Sequence, residues 1–189
     1  MRAHAPGKME DLRIPFAAVA TDLDTGSVVV LRAGEIAPAV RASCAIPGVF
    51  EPVSRDGRLL VDGGVALNLP VQVARDMGAD VVIAADVTAL APRMSRPRNF
   101  VEVILRAVNI VVHGEVEQAR RDADVLLTPD VGEVGFIDFD RKDEAFAAGA
   151  ESARAALPRI RAAIAEWRAH PRRGELVPSA AGRRRADPP

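Results

Sequence analysis

Residues 57–71 read GRLLVDGGVALNLPV, and this stretch decides how the rest of the chain is read. Arg58 to Val61 forms a short apolar run of strand length, and Asp62-Gly63-Gly64 follows it at once. Pro70 then stands near the first position of a helix predicted over 70–77, with Gly78 just past its end. A carboxylate at a strand end, ahead of a helix, is where sites collect in α/β proteins. The paired glycines let the backbone turn sharply and leave space beside that carboxylate. Asp-Gly is also ordinary turn chemistry. Asp56-Gly57, six residues earlier, reads as a tight hairpin turn between Glu51–Val53 and Arg58–Val61. On local evidence alone, Asp62 is either a turn residue or a catalytic carboxylate.

Upstream, IPFAAVA (14–20) is an apolar run of strand length, and SVVVLR (27–32) is β-branched. The turn signal Asp24-Thr25-Gly26 between them predicts a hairpin. Glu35 to Ala45 reads as a short helix, with Pro38 in its first turn and Ile46-Pro47-Gly48 as its stop. Downstream, VVIAAD (81–86) is a continuous apolar run, the pattern of a strand buried on both faces of a parallel sheet. Residues 90–98 read as a loop, and Phe100 to Arg121 carries apolar side chains at helical spacing. VLL (125–127) is a further strand, and a long amphipathic helix is predicted over 142–169. Strands alternating with helices predict an α/β fold with a mostly parallel sheet.

The 189 residues are 49% hydrophobic and 27% charged, with a net charge of -1, a globular composition large enough for a real core. The charge balance argues against a nucleic-acid partner. No apolar run approaches the roughly 20 residues that span a bilayer. The opening MRAHAPGKMEDLR lacks the apolar core of a signal peptide, so a cytoplasmic location is expected. A single cysteine, Cys44, excludes an internal disulfide and any cysteine-based zinc site. Residues 170–189 hold five Arg, one Glu, one Asp and four Pro without apolar periodicity, and read as a disordered basic tail. Its arginines leave open a peripheral contact with an anionic surface.

Six segments together are more specific than any one of them: IPFAAVATDLDTG (14–26), AVRASCAIPGVFEPV (39–53), GRLLVDGGVALNLPV (57–71), GADVVIAADV (78–87), ADVLLTPDVG (123–132) and DFDRKDEAFAAG (138–149). In order and spacing they resemble the second half of the bacterial patatin-like phospholipase family, over roughly residues 10–160. The resemblance implies a three-layer α/β/α fold, incomplete here. Residues 1–169 would be the C-terminal portion of the domain and 170–189 its tail. It also implies an acyl hydrolase with a Ser–Asp dyad, acting on lipid or other carboxylic esters without metal or organic cofactor. The family's carboxylate maps onto Asp62, and Gly63 and Gly64 complete its motif. Such a carboxylate would accept the serine proton and later activate water. Partial burial would raise its affinity for that proton.

The family's nucleophile motif G-x-S-x-G and its glycine-rich oxyanion loop do not occur in this sequence. The chain on its own is therefore expected to be inactive. The lost half should leave strand edges and apolar faces uncovered, so self-association is also expected. A degenerate, non-catalytic module that binds acyl chains or a protein is the alternative. A nucleotide-binding α/β domain fails on the lack of a phosphate loop.

Other side chains read more plainly. Cys44 is expected to pack as a small apolar residue, with Ser43 beside it as a stray serine. His113 reads as a structural histidine on the long helix. Asp22 with Asp24, and Asp138 with Asp140, read as turn or solvated carboxylates, since neither pair has a calcium-loop pattern. Asp86 reads as a cap at a strand end. Pro92 to Pro97, with Arg93, Met94 and Arg96, reads as a surface loop or a cover over a lipid site.

Overall fold

The structure is a computed structural model that describes residues 7–87, 100, 103, 116–131, 134 and 139–170. Its first sheet has four strands in the order β2-β1-β4-β3: β1 (Ala18–Asp22), β2 (Val28–Leu31), β3 (Val53–Arg55) and β4 (Arg58–Asp62). All three pairings are antiparallel. Short connections explain the β1–β2 and β3–β4 pairings, because a tight turn can only return a chain antiparallel, whereas β1 meets β4 across 40 residues of chain. At the β1–β2 turn the Asp22 carboxylate accepts the amides of Asp24 and Thr25 at 3.0 and 3.3 Å. At the β3–β4 turn both central residues, Asp56 and Gly57, have positive φ, 50° and 74°. That backbone matches the right-handed twist of the flanking strands.

Helix α1 (Ile36–Ser43) covers one face of this sheet. Its sheet-facing side chains, Ala39 and Ala42, are fully buried, so the helix lies close to the strands. They join Ala18, Ala20, Leu31, Ala45, Val53 and Leu60 in the first core, which Met9 closes.

A second core lies around helix α2 (Val71–Asp76), strand β5 (Ile83–Ala85), the helical residues 116–122 (α3) and strand β6 (Val125–Leu127). Strands β5 and β6 pair in parallel, Ile83 with Val125 through Ala85 with Leu127. Helix α4 (Lys142–Ala169) packs against β6. Arg75 ties α2 to this unit: its guanidinium donates to the carbonyls of Ala79 and Asp80 and to Asp124 Oδ2 at 2.5 Å. The same oxygen accepts the amide of Val82 at 2.7 Å.

The α/β class holds, with one correction of detail. Among the described residues the expected parallel pairing is found only in β5–β6; the four strands before it are antiparallel. The run 81–86 is also not buried on both faces. Burial alternates along it, and Ile83 stays 45% exposed while Val82 and Ala84 are buried. The first strand starts four residues later than predicted and extends to Asp22, since its register is set by Val28 and Leu60 across the sheet. The strands around Asp56-Gly57 and the helices at 36–43, 71–76 and 142–169 fall within two residues of their predicted bounds. Among the described residues no helix is long and apolar enough to cross a membrane. The predicted loop at 90–98, most of the helix at 100–121, and the tail beyond 170 lie outside the described residues.

Candidate active site

Asp62 is the last residue of β4 and caps the 3₁₀ turn Gly63–Val65 behind it. Its backbone is held on both sides. The Asp62 amide donates to the Ala45 carbonyl at 2.9 Å, and its carbonyl accepts the Thr21 hydroxyl at 2.9 Å. The side chain turns back on its own loop, where Oδ1 accepts the Gly64 amide at 2.7 Å. Oδ2 carries no hydrogen bond among the described residues. Burial pushes the Asp62 carboxyl above the usual range, and the Gly64 amide, by favouring the anion, opposes that shift.

The two glycines do different work. Gly63 is buried against β1, and a Cβ there would lie 2.2 Å from the Val19 carbonyl oxygen. The strand crossing is thus closed by a residue without a side chain. At Gly64 a Cβ would meet Asp62 Oδ1 and Asn68 Oδ1, each at 3.1 Å. Asp62 and Asn68 therefore flank one small gap.

Two clefts meet at Asp62. One, of about 360 Å³, is walled by apolar groups including Phe16, Val19, Val40 and Leu67, with Ser43, Cys44, Asp62 and Asn68 as its polar points. The other, of about 600 Å³, is lined by Arg41, Cys44, Ala45, Ile46, Phe50, Glu51 and Asp62. Mostly apolar walls with a few convergent polar groups are the pattern of a small-molecule site.

Cys44 stands between these clefts and is exposed, which overturns its reading as a packed apolar residue. It sits at the C-cap of α1, where the helix ends. Partial desolvation, and then the charge of Asp62, push that thiol above its ordinary value. It is a poor nucleophile as it stands. Ser43 lines the apolar cleft with Asp62, but no hydrogen bond joins them, so the carboxylate does not activate that hydroxyl.

The remaining sequence candidates lie elsewhere. Asp22 is buried and serves its turn, with Arg58 at 3.9 Å as a loose ionic neighbour. Asp24 and Asp140 are exposed. Asp86, at the end of β5, is 2% exposed and pairs with Arg120 of α3 through Nε at 2.8 Å and Nη2 at 2.7 Å. It thus forms an ion pair between β5 and α3, and the loop after it, which it is expected to cap, lies outside the described residues. His113, Asp138 and residues 92–97 lie outside the described residues. Among the described residues no group of three or more His, Cys, Asp and Glu could hold a metal ion.

Two contributors escaped the sequence reading. Thr21 lies one residue beyond the predicted strand 14–20, and nothing in a β-branched residue marks a hydrogen bond 41 positions away. Asn68, two residues before Pro70, lies inside the quoted segment 57–71, where its residue type alone assigns it no role. Its side-chain amide has no hydrogen bond among the described residues and borders the apolar cleft.

This geometry meets an independent finding. Residues 3–75 match the patatin-like phospholipase family. The matched segment contains β1 to β4, α1, the Asp62 turn and nearly all of the cleft residues. An uncharacterized NTE family protein of Mycobacterium tuberculosis is 48% identical over 79 residues, which is 42% of this chain and 22% of that relative. A second one from the same species is 33% identical over 177 residues, covering 79% of this chain and 30% of the relative. Patatin-like phospholipase domain-containing protein 7 of Mus musculus is 45% identical over 82 residues, covering 42% of this chain and 6% of the relative. The chain thus spans less than a third of the length of each of these relatives.

Proposed function

We propose that this chain is the C-terminal portion of a patatin-like acyl hydrolase domain and that Asp62 is the base of its Ser–Asp dyad. The observation that carries this reading is the placement of Asp62: a half-buried carboxylate at a strand end, one oxygen held by the Gly64 amide, the other without a hydrogen bond among the described residues, at the meeting of two mostly apolar clefts. The match over residues 3–75 supports it.

The chemistry follows from what Asp62 offers. A serine hydroxyl attacks an ester only when a base removes its proton. A carboxylate in water is a weak base, and burial strengthens it. The Gly64 amide keeps one oxygen fixed, which leaves Oδ2 to take the proton. Oδ2 gives that proton to the departing alcohol as the ester C–O bond breaks. The freed carboxylate then draws a proton from water, the resulting hydroxide attacks the acyl-serine, and the proton returns to the serine oxygen as the acid is released. No G-x-S-x-G occurs in the sequence, so the serine and the oxyanion donors come from a segment outside this chain. The substrates are lipid or other carboxylic esters, with the acyl chain along Phe16, Val19, Val40 and Leu67. A peripheral membrane surface is the setting such substrates imply. No metal or organic cofactor enters this scheme.

The test is Asp62→Asn in a polypeptide that joins this chain to the nucleophile-bearing segment. Ester hydrolysis should fall at least ~100-fold, the scale of general-base catalysis. Undiminished hydrolysis would remove the assignment. The missing nucleophile also favours a second reading, a non-catalytic module that binds acyl chains or a protein partner. That reading predicts fatty-acid binding by the chain alone, with no labelling by a fluorophosphonate in any longer form.

A further inference from the structure

We propose that Thr21 is the positioning residue of the Asp62 site, acting through the turn that carries the carboxylate. The proposal rests on the reading of Asp62 given above and adds a residue to it.

Thr21 lies on β1, one strand away from the turn it holds, and is 2% exposed. A threonine hydroxyl has one proton to give and lone pairs to accept with. Here both are used on the same loop. Oγ1 donates to the Asp62 carbonyl at 2.9 Å, with a longer approach to the Gly63 carbonyl at 3.5 Å, and accepts the Ala66 amide at 3.2 Å. The two ends of the Gly63–Val65 turn are thereby clasped by one atom. What the clasp fixes is the position of the Gly64 amide, which lies inside the turn and holds Asp62 Oδ1 at 2.7 Å. The bare approach of Gly63 to Val19 sets how near the turn lies to β1, and the Thr21 hydroxyl sets its curl. Valine has the same shape as threonine without the hydroxyl, and serine keeps the hydroxyl without the methyl.

Cys44 reports on the outcome. It is the one cysteine of the chain, it is exposed, and the Asp62 charge helps to hold its thiol protonated. Arg41 and Glu51 are the other charged groups that share a cleft with it. A turn released from Thr21 lets Asp62 swing into water, where its charge is screened from the thiol.

The experiment measures the rate of Cys44 alkylation by iodoacetamide against pH, at micromolar protein, for the parent chain and for Thr21→Val, Thr21→Ser and Asp62→Asn. Folding is checked in each by circular dichroism. Asp62→Asn defines the titration of Cys44 without its charged neighbour. Thr21→Val should move the Cys44 titration down toward that value, with severalfold faster alkylation near neutral pH. Thr21→Ser should keep the parent profile. A folded Thr21→Val with the parent profile overturns the proposal, since a residue with only a packing role leaves the thiol titration where it was. If Thr21→Val does not fold, Thr21→Ala replaces it. A folded Thr21→Ser that titrates like the hydroxyl-free variant also overturns the proposal. Failure here leaves the Asp62 reading to its own hydrolysis test, and loss of that reading leaves the clasp measurable in this chain.

Discussion

A Cβ placed on Gly63 would stand 2.2 Å from the carbonyl oxygen of Val19. Neither group is the far end of a flexible side chain. One belongs to the backbone of β1 and the other to the turn after β4, two strands already joined through Ala20–Asp62 and Thr21–Val61. Relief therefore requires the strands to part. Gly63→Ala should cost at least ~3 kcal/mol, beyond the usual range for overpacking, and will leave little folded protein. Gly64→Ala is the control. Its Cβ meets only the side-chain oxygens of Asp62 and Asn68, at 3.1 Å, and these can give way. Thermal melts of the two variants should separate clearly, and equal melting temperatures would show that the close approach at Gly63 is not what closes the sheet.

Asp62 makes the fold pH-dependent in a direction that differs from a salt-bridged carboxylate. Its folded proton affinity is raised, mainly by burial, so the folded state holds the proton better than the unfolded chain. Its stabilising contribution is complete below the unfolded pKa, ~3.9, and is lost as pH rises through the folded value. Asp62→Asn removes this loss, while its amide oxygen can still accept the Gly64 amide. The variant should match the parent near pH 3 and exceed its stability at pH 7. Denaturant melts at the two pH values check this, and a variant less stable than the parent at pH 7 would contradict it.

Asp86 and Arg120 form the most enclosed ion pair among the described residues, with the Asp86 side chain at 0% exposure. Removing the cation alone leaves a buried charge that retains its other contacts but not its counterion. Arg120→Met should destabilise the fold by about 3 kcal/mol. Adding Asp86→Asn to it should recover part of that loss, because the uncompensated charge is then gone. A double variant no more stable than Arg120→Met would show that the pair's electrostatics contribute little. Urea melts of the parent, single and double variants give the comparison.

These three sites differ in how far the sequence reveals them. Both tight turns were legible because turn chemistry is local: Asp24-Thr25-Gly26 and Asp56-Gly57 carry their own conformational signal. Helices α1, α2 and α4 were legible from periodicity and stop residues. The antiparallel pairing of β1 with β4 was not, since it joins Thr21 to Val61 across 40 residues and neither advertises its partner. The run 81–86 misled for a related reason. Ile83 and Val82 look alike in composition, and only the neighbours of the strand decide which face is covered. Asp62 itself was legible by its place after LLV and by family resemblance. Its supports, Thr21 and the Val19 carbonyl, arrive from another strand. The ion pair of Asp86 was likewise not legible, because Arg120 lies 34 residues away.

Strand β5 shows what the isolated chain leaves open. Val82, Ala84 and Asp86 point into the second core, whereas Ile83 is 45% and Val87 53% exposed. Among the described residues β5 pairs only with β6, so its other edge has no strand partner. An unpaired edge that also carries bulky apolar side chains is a template for association. Phe50, at 47% exposure beside the larger cleft, adds an apolar surface of its own. The chain should therefore self-associate at tens of micromolar, as light scattering coupled to size exclusion will show. Ile83→Lys places a charge on the exposed face without touching the core, and it should shift the population toward monomer while leaving the melting transition in place. A sharp monomer peak for the parent chain, with cooperative unfolding, would mean that this face is tolerated in water and that its exposure does not call for a covering segment.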